Sequence, residues 1–261
     1  MADSVTREQL DAVCVLTLDG PATRNALSVE MRIVLRDHLR AAMADETVRV
    51  VVLTGAGGHF CSGGKLQPAG PGADSPDAHR TRTNMGIMHD VVRELVGAPK
   101  PVIAAVEGYA FGAGLSLASA CDLIVAADGA KFCAAFGRVG LMADGGLLWT
   151  LTRRVGAGRA RDLLLTARIV EAAEAAHIGL TDRAAAAGGA LEAARALARE
   201  IAALAPLPLA ATKRALANGA DTLEGVLATE AEVQARLTYT ADYLEGRAAF
   251  KEKRAPRFIG A

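Results

Sequence analysis

Two stretches of this 261-residue chain carry the residue types from which main chain alone can stabilise negative charge: Gly55–Leu66 (GAGGHFCSGGKL) and Glu107–Asp122 (EGYAFGAGLSLASACD). Each follows a short apolar run, so each turn aims a cluster of backbone N–H groups at whatever lies between them. That is how an oxyanion hole for a developing enolate or alkoxide is built. Gly63, Gly64, Gly112 and Gly114 permit close backbone approach and positive φ. Around Gly112 the sequence FGAGLSLASA reads as the start of a helix, whose N-terminus adds partial positive charge at the same place. One such turn alone reads better as a tight strand-to-helix connection; two in one chain, both at strand ends, favour a site. Other glycine-rich chemistries fail on detail. Around Lys65, His59 stands where the first glycine of G-x-x-x-x-G-K-[ST] belongs and Leu66 where Ser or Thr belongs. Neither turn completes G-x-G-x-x-G, so ATP and NAD are poor fits.

The elements that must position these turns are legible as hydrophobic runs. Val13–Leu18 reads as a first strand, and DGPATRNA then leads to a helix N-capped by Ser28. VRVVVLT (Val48–Thr54) and PVIAAV (Pro101–Val106) have the length and β-branched content of buried strands and feed the two turns. Gln67–Ala78 is rich in Pro, Gly, Asp and Ala without periodicity and reads as a surface loop, a candidate flap. A helix is expected from near His79 to Leu95, then strands at Cys121–Ala127 and Ala130–Cys133. From Gly145 onward the patterns are helical, with breaks at Gly156, Gly179, Gly188–Gly189, Pro206 and Gly219, so strands are expected to stop two thirds of the way along. Glu192–Ala205 has the Leu and Ile spacing of an amphipathic helix. The ordering implies an α/β core over 1–195 and a helical C-terminal region over 196–261.

Composition bounds the partners. Half the residues are hydrophobic, 51%, ample for a sizeable core. Lys+Arg and Asp+Glu balance at 29 each, leaving no global field to hold nucleic acid or an anionic membrane. No window reaches the apolar length of a membrane span. The polar, acidic opening MADSVTREQLDAV resembles neither a secretory signal nor a transit peptide, and a cytoplasmic location is expected. Cys14, Cys61, Cys121 and Cys133 form no C-x-x-C pair and lie in or beside apolar segments; buried reduced thiols are expected rather than disulfides or metal ligands.

The two turns resemble segments of the crotonase (enoyl-CoA hydratase/isomerase) superfamily, which read roughly FCAGxDL and NGxAxGGGxxLAxxCD. The likeness extends to DGPATRNAL (Asp19–Leu27), similar to the family's P-x-x-x-NAL, and to FKEKRAPRF (Phe250–Phe258), similar to its C-terminal F-x-E-K-R-x-P-x-F. Nearly the whole chain is covered, in the family's order and spacing. The resemblance implies a spiral of ββα units, with the last helices packing into a homotrimer or a dimer of trimers. It implies an acyl-CoA thioester as substrate and no cofactor beyond the CoA moiety, with no metal. Carried over position by position, the oxyanion donors are the N–H groups of Gly64 and Ala113, the latter a glycine in most relatives. Arg24 and Lys65 approach the CoA phosphates, main chain near Ala26 and Ser62 meets adenine and pantetheine, and Phe250 and Lys253 of a neighbouring subunit complete the nucleotide end. Solvated surface charge is the competing reading for Arg24 and Lys65, and simple subunit packing for Phe250 and Lys253.

Hydratases of the family use two glutamates, and this chain has Ser116 and Phe136 there. Neither activates water and supplies a proton at neutral pH, which argues against ordinary hydration. Asp144, in MADGGLLW (Met142–Trp149), stands in a segment similar to the P-D-G-G-x-x-W of crotonase-fold isomerases, with Ala143 in place of proline. Capping of the following helix is the competing role. As a base, Asp144 removes a C2 or C4 proton and returns it at the other carbon while the oxyanion hole holds the dienolate. Burial among Phe136, Met142 and Leu147 is expected to raise its pKa. His89 lies near the position of the helical histidine of aryl-CoA dehalogenases in this superfamily and is a third-ranked partner for Asp144 in hydrolytic chemistry. His59, Glu107 and Asp122 read as structural. Phe111, Phe136, Met142, Leu147 and Trp149 are acyl-pocket or core residues. The readings are, in order, an enoyl-CoA isomerase using Asp144, a hydratase with unconventional residues such as a carboxylate of the loop Gly70–Asp77, and a non-catalytic acyl-CoA-binding protein.

Overall fold

The computed structural model describes residues 4–66, 78–218 and 222–261. The chain opens on an antiparallel hairpin, β1 (Ser4–Leu10) and β2 (Val13–Asp19), turning at Asp11 with φ 51°. There follow α1 (Val29–Ala44), β3 (Val50–Gly55), α2 (Ala78–Gly97), β4 (Val102–Val106), β5 (Tyr109–Phe111), α3 (Ala113–Ala120), β6 (Leu123–Ala127) and β7 (Lys131–Cys133). Then come α4 (Leu147–Thr166), β8 (Val170–Glu171), α5 (Ala172–His177), β9 (Arg183–Ala185), α6 (Ala190–Ala202), α7 (Pro206–Asn218), α8 (Leu223–Leu237) and α9 (Ala241–Glu252).

Among the described residues, one sheet runs β1-β2-β3-β4-β6-β9, parallel from β2 onward, and a smaller one runs β5-β7-β8. The unbroken apolar runs of β3 and β4 follow from burial on both faces of the parallel sheet. Val51, Leu53, Val102, Ala104 and Val106 join the core shared with α1 to α4. Val50, Val52, Ile103 and Ala105 face the opposite layer, which α6 closes with Ala190, Ala194 and Ala198. Alanine at four-residue spacing lets α6 lie close to the sheet, and this helix spans the expected 195/196 boundary.

The expected helices and the central strands are present, and Ser28 caps α1 by accepting the Met31 N–H at 3.2 Å. The expected break at Gly156 is a kink inside α4, with φ 77°. Gly219 and the loop Gln67–Asp77 lie outside the described residues, and Ala78 opens α2. Two readings need correction. The polar opening segment is β1, whose side chains other than Val5 are exposed or half-buried because β1 is an edge strand held by pairing to β2. Strands also continue past residue 145: β8 and β9 are two and three residues long, paired to β7 and β6 and too short to show a hydrophobic period. All four cysteines are free and buried, as expected, and burial pushes the Cys61 and Cys121 thiols up to about 12.

Candidate active site

The two glycine turns are stitched into one unit. Phe60 N–H donates to Glu107 O and Cys61 N–H to Tyr109 O, both at 2.8 Å, and Phe111 N–H returns to Cys61 O at 2.9 Å. The first turn is held from beneath by buried Asn25, itself at φ 59°. Its Nδ2 donates to His59 O at 2.7 Å and Ala56 O at 2.9 Å, and its Oδ1 accepts from Gly20 N–H at 2.9 Å. Where the turns meet, Gly63 has φ 120° and Gly112 φ 49°. A Cβ at Gly63 would sit 3.3 Å from Phe111 O, so Gly63 needs glycine for φ and for approach, and Gly112 needs it for φ. Leu27 N–H bonds Gly63 O at 2.8 Å and Lys65 N–H bonds Leu27 O at 3.0 Å, fixing the peptides on either side of Gly64. Among the described residues neither the Gly64 N–H nor the Ala113 N–H takes a backbone or side-chain acceptor. Ala113 is the first residue of α3, where helix N–H groups have no internal partner. Two free donors at abutting turns, one on a helix N-terminus, can polarise a carbonyl oxygen and hold the oxyanion it becomes.

Asp144 is brought to the same helix. Ser116, standing where hydratases carry a glutamate, places its Oγ 2.9 Å from the Asp144 carbonyl oxygen and 3.3 Å from Gly112 O. The next residue, Gly145, has φ 59°, and a Cβ there would lie 2.8 Å from the Ser116 Cβ and 2.9 Å from the Met88 Cε. The Asp144 side chain does not cap α4, whose N-cap is Gly146 without a side-chain bond. Its Oδ1 is instead buried with no hydrogen-bond partner. Burial pushes its carboxyl above the ordinary carboxylate range, opposed by the charge of Arg32 and then of His89. Phe136 and Leu147 are buried as expected, but Met142 is 76% exposed and Trp149 faces solvent beneath the Arg153 guanidinium, so neither lines a closed acyl pocket here. His89 is exposed and makes no hydrogen bond to Asp144. The dehalogenase-like pairing is not formed.

Arg32 is the site residue that sequence reading missed. It lies on α1 with Arg36 and Arg40 at four-residue spacing, the pattern of a solvated face. Yet its Nε is buried without a partner, its Nη2 reaches Leu27 O at 3.4 Å, and the same nitrogen is 3.3 Å from where a Gly64 Cβ would stand. Burial lowers its pKa and the Asp144 charge restores part of it. The available signal was its position directly after buried Met31 on the helix.

Toward the expected nucleotide end, Arg24 adopts φ 53° and sets its guanidinium 5.3 Å from the centroid of the Tyr109 ring, which stacks on His59 at 4.7 Å. Ser62 N–H bonds Arg24 O at 2.9 Å and Ser62 Oγ bonds Thr23 O at 2.8 Å. Ala26 N–H reaches Thr23 Oγ1 at 3.3 Å. These N–H groups are therefore used inside the turn. Lys65 is exposed and attracts Glu30. Phe250 and Lys253 sit on and just after α9. The structural readings of Glu107 and Asp122 hold. Glu107 accepts from Ala190 N–H at 2.9 Å at the start of α6, and Asp122 from Val102 N–H at 2.7 Å.

No described helix is long and apolar enough to cross a membrane. No cluster of three or more His, Cys, Asp or Glu suited to a metal ion occurs among the described residues. Comparison with known proteins places this geometry. A family model described as enoyl-CoA hydratase/isomerase matches residues 8–261. A probable enoyl-CoA hydratase of Rhodobacter capsulatus is 39% identical over 98% of both chains. A 1,2-epoxyphenylacetyl-CoA isomerase of Escherichia coli is 37% identical over 95% of both. The solved structure of a putative enoyl-CoA hydratase from Streptomyces coelicolor superimposes with a TM-score of 0.91 at 39% identity, over 98% of this chain and 94% of that one. With this sheet order, these stitched turns and a match along nearly its full length, the chain is an α/β crotonase-fold enzyme and belongs to the enoyl-CoA hydratase/isomerase family.

Proposed function

We propose that this enzyme shifts the double bond of an enoyl-CoA thioester, with Asp144 as the single acid/base. The observation that carries this reading is the Asp144 carboxylate, whose Oδ1 is buried without a hydrogen-bond partner and whose pKa burial raises, on a residue whose main-chain carbonyl Ser116 ties to the helix that presents the Ala113 N–H. The thioester oxygen accepts from Gly64 and Ala113, which acidifies the α and vinylogous γ protons. Asp144 takes a proton from C2 or C4 and the negative charge moves onto the thioester oxygen as a dienolate. The conjugate acid then delivers the proton to the other end. One carboxylate suffices because the proton leaves and returns on one side of the chain. Its raised pKa narrows the gap to the carbon acid and eases the abstraction, while the return of the proton to the dienolate stays downhill.

Two observations support isomerisation over hydration. The positions of both hydratase glutamates hold Ser116 and Phe136, the one engaged with main-chain carbonyls and the other buried. A relative 37% identical bears the name of an isomerase. Hydration by unconventional residues is the second reading, favoured by relatives named as hydratases; the carboxylates of Gly70–Asp77 invoked for it lie outside the described residues.

The test is proton NMR of 3-enoyl-CoA and 2-enoyl-CoA with enzyme in deuterated buffer, beside Asp144→Asn. Double-bond migration with deuterium entry is expected, falling by about 10²–10⁴ in the variant. Hydration that survives in Asp144→Asn would favour the second reading. Substrates that bind but remain inert would leave an acyl-CoA-binding protein.

A further inference from the structure

Arg154 ties together the two helices whose N-terminal ends hold the site. Ser116 of α3 meets the Asp144 carbonyl just before α4, and further along α4 Arg154 meets the end of α3, so the two helices run side by side in the same sense. The Arg154 guanidinium uses all three nitrogens. Nε donates to Ser119 O at 3.2 Å, Nη2 to Cys121 O and to Asp122 O at 3.1 Å, and Nη1 to Asp182 Oδ2 at 3.0 Å. Asp182 is itself fixed, its Oδ2 accepting the Ile124 N–H of β6 at 2.7 Å. Carbonyls at a helix C-terminus lack internal partners, and a cation there is favoured by the helix dipole. Arg154 stands at the opposite end of α3 from the Ala113 N–H, a helix length of about 12 Å away.

One side of this joint is better held than the other. α3 is buried along its whole length. α4 breaks at Gly156, φ 77°, two residues after Arg154, so residues 147–155 are a separate helical segment. At its front the Asp144 carbonyl accepts both the Leu147 N–H at 3.1 Å and Ser116 Oγ at 2.9 Å; at its back Arg154 supplies the directional bonds to α3. Apolar burial of Leu147, Leu151 and Val155 opposes separation but is non-directional, and packed helices accommodate small sliding movements. We propose that Arg154 is a positioning residue for the reaction: by locking residues 147–155 against the end of α3 it sets the axial register of α4, and with it the place of Asp144 relative to the Ala113 N–H. The inference rests on the reading of Asp144 as the base.

Single turnover of 3-hexenoyl-CoA with saturating excess enzyme tests it, beside binding of cinnamoyl-CoA as a chromophore. The first-order rate constant so measured belongs to the folded, loaded site, so a loss of stability alone leaves it unchanged. Arg154→Met is expected to lower it about 10²-fold, the effect of a misplacement on the order of 1 Å. The affinity for cinnamoyl-CoA is expected to stay at the wild-type value, as is the red shift of its bound absorbance, which reports polarisation of the thioester carbonyl by Gly64 and Ala113. Arg154→Lys is expected to be slow as well, because one ammonium nitrogen cannot span the helix end and Asp182 as the planar fork does, and it carries the test should Arg154→Met fail to fold. A wild-type rate constant in either folded variant would overturn the positioning role. So would a red shift lost together with the rate, which would place the effect on the oxyanion hole. A wild type that binds and red-shifts cinnamoyl-CoA but moves no double bond would overturn the Asp144 reading, and the positioning role with it.

Discussion

At the scale of single residues, the pH dependence of catalysis is the sharpest consequence of Asp144. As the proposed base it works ionised, and burial holds its carboxyl above the ordinary carboxylate range. The acid limb of kcat/KM is therefore expected above the ordinary carboxylate range, with activity rising as pH rises through it and levelling beyond. The Arg32 charge favours the ionised form, so Arg32→Met is expected to move the limb further upward; the same profile measured on both proteins checks it. A limb that stays in place would show that Arg32 does not act on Asp144. How much of this was legible differs by residue. Gly63, Gly64, Gly112 and Asp144 could be read because glycine at a strand end and Asp before Gly-Gly have few physical uses. Arg32 could not, because its burial depends on α1 packing toward Gly64 across a distance in sequence that helical spacing does not encode.

At the scale of elements, the site stands on parallel strands whose connections return to one end of the sheet, and the C-terminal helices are pinned to that platform at a few points. Buried Lys213 of α7 donates to Leu95 O at 2.8 Å, Lys100 O at 2.9 Å and Asp122 Oδ2 at 2.7 Å, reaching residues beside α2, β4 and α3. Every ammonium proton has an acceptor, so the pair is satisfied despite burial. Truncation in Lys213→Met strands the Asp122 carboxylate and two carbonyls, and a loss of about 3–5 kcal/mol is expected. Urea unfolding of Lys213→Met and of Lys213→Met/Asp122→Asn measures it, the double variant recovering part because the orphaned charge is gone. Equal stability of Lys213→Met and wild type would show that α7 is held by other contacts. Elements whose stability comes from their own periodicity, such as α1, β3 and β4, were legible in sequence. The pairing of β9 with β6 and the anchoring of α7 by Lys213 were not, because each is decided by a partner distant in the chain.

At the scale of the whole molecule, the C-terminal helices carry an apolar surface out of proportion to a free monomer. An apolar groove of about 960 Å³ lies among α7, α8 and α9, lined by Ala211, Ala215, Val226, Val233, Tyr243 and Phe258. Phe250 at its edge is 88% exposed, and Leu216, Leu223 and Tyr239 are exposed as well. Large exposed apolar patches of this kind mark association surfaces, and the absence of net charge removes a barrier to self-association. The family resemblance implies a homotrimer or a dimer of trimers, with Phe250 and Lys253 of one protomer completing the nucleotide end of its neighbour, and we propose this assembly for the apolar surface. Static light scattering should therefore return three or six times the chain mass. The combined substitution of Leu216→Asp and Phe250→Asp is expected to lower that mass, because two carboxylates would be buried unpaired at each interface. If the neighbour completes the CoA site, acyl-CoA affinity falls in step with the loss of oligomer across a protein dilution series, and restoring concentration restores binding. A wild-type protein that remains monomeric while binding acyl-CoA would remove Phe250 and Lys253 from the site and leave the nucleotide end to the Arg24–Tyr109 stack and Lys65.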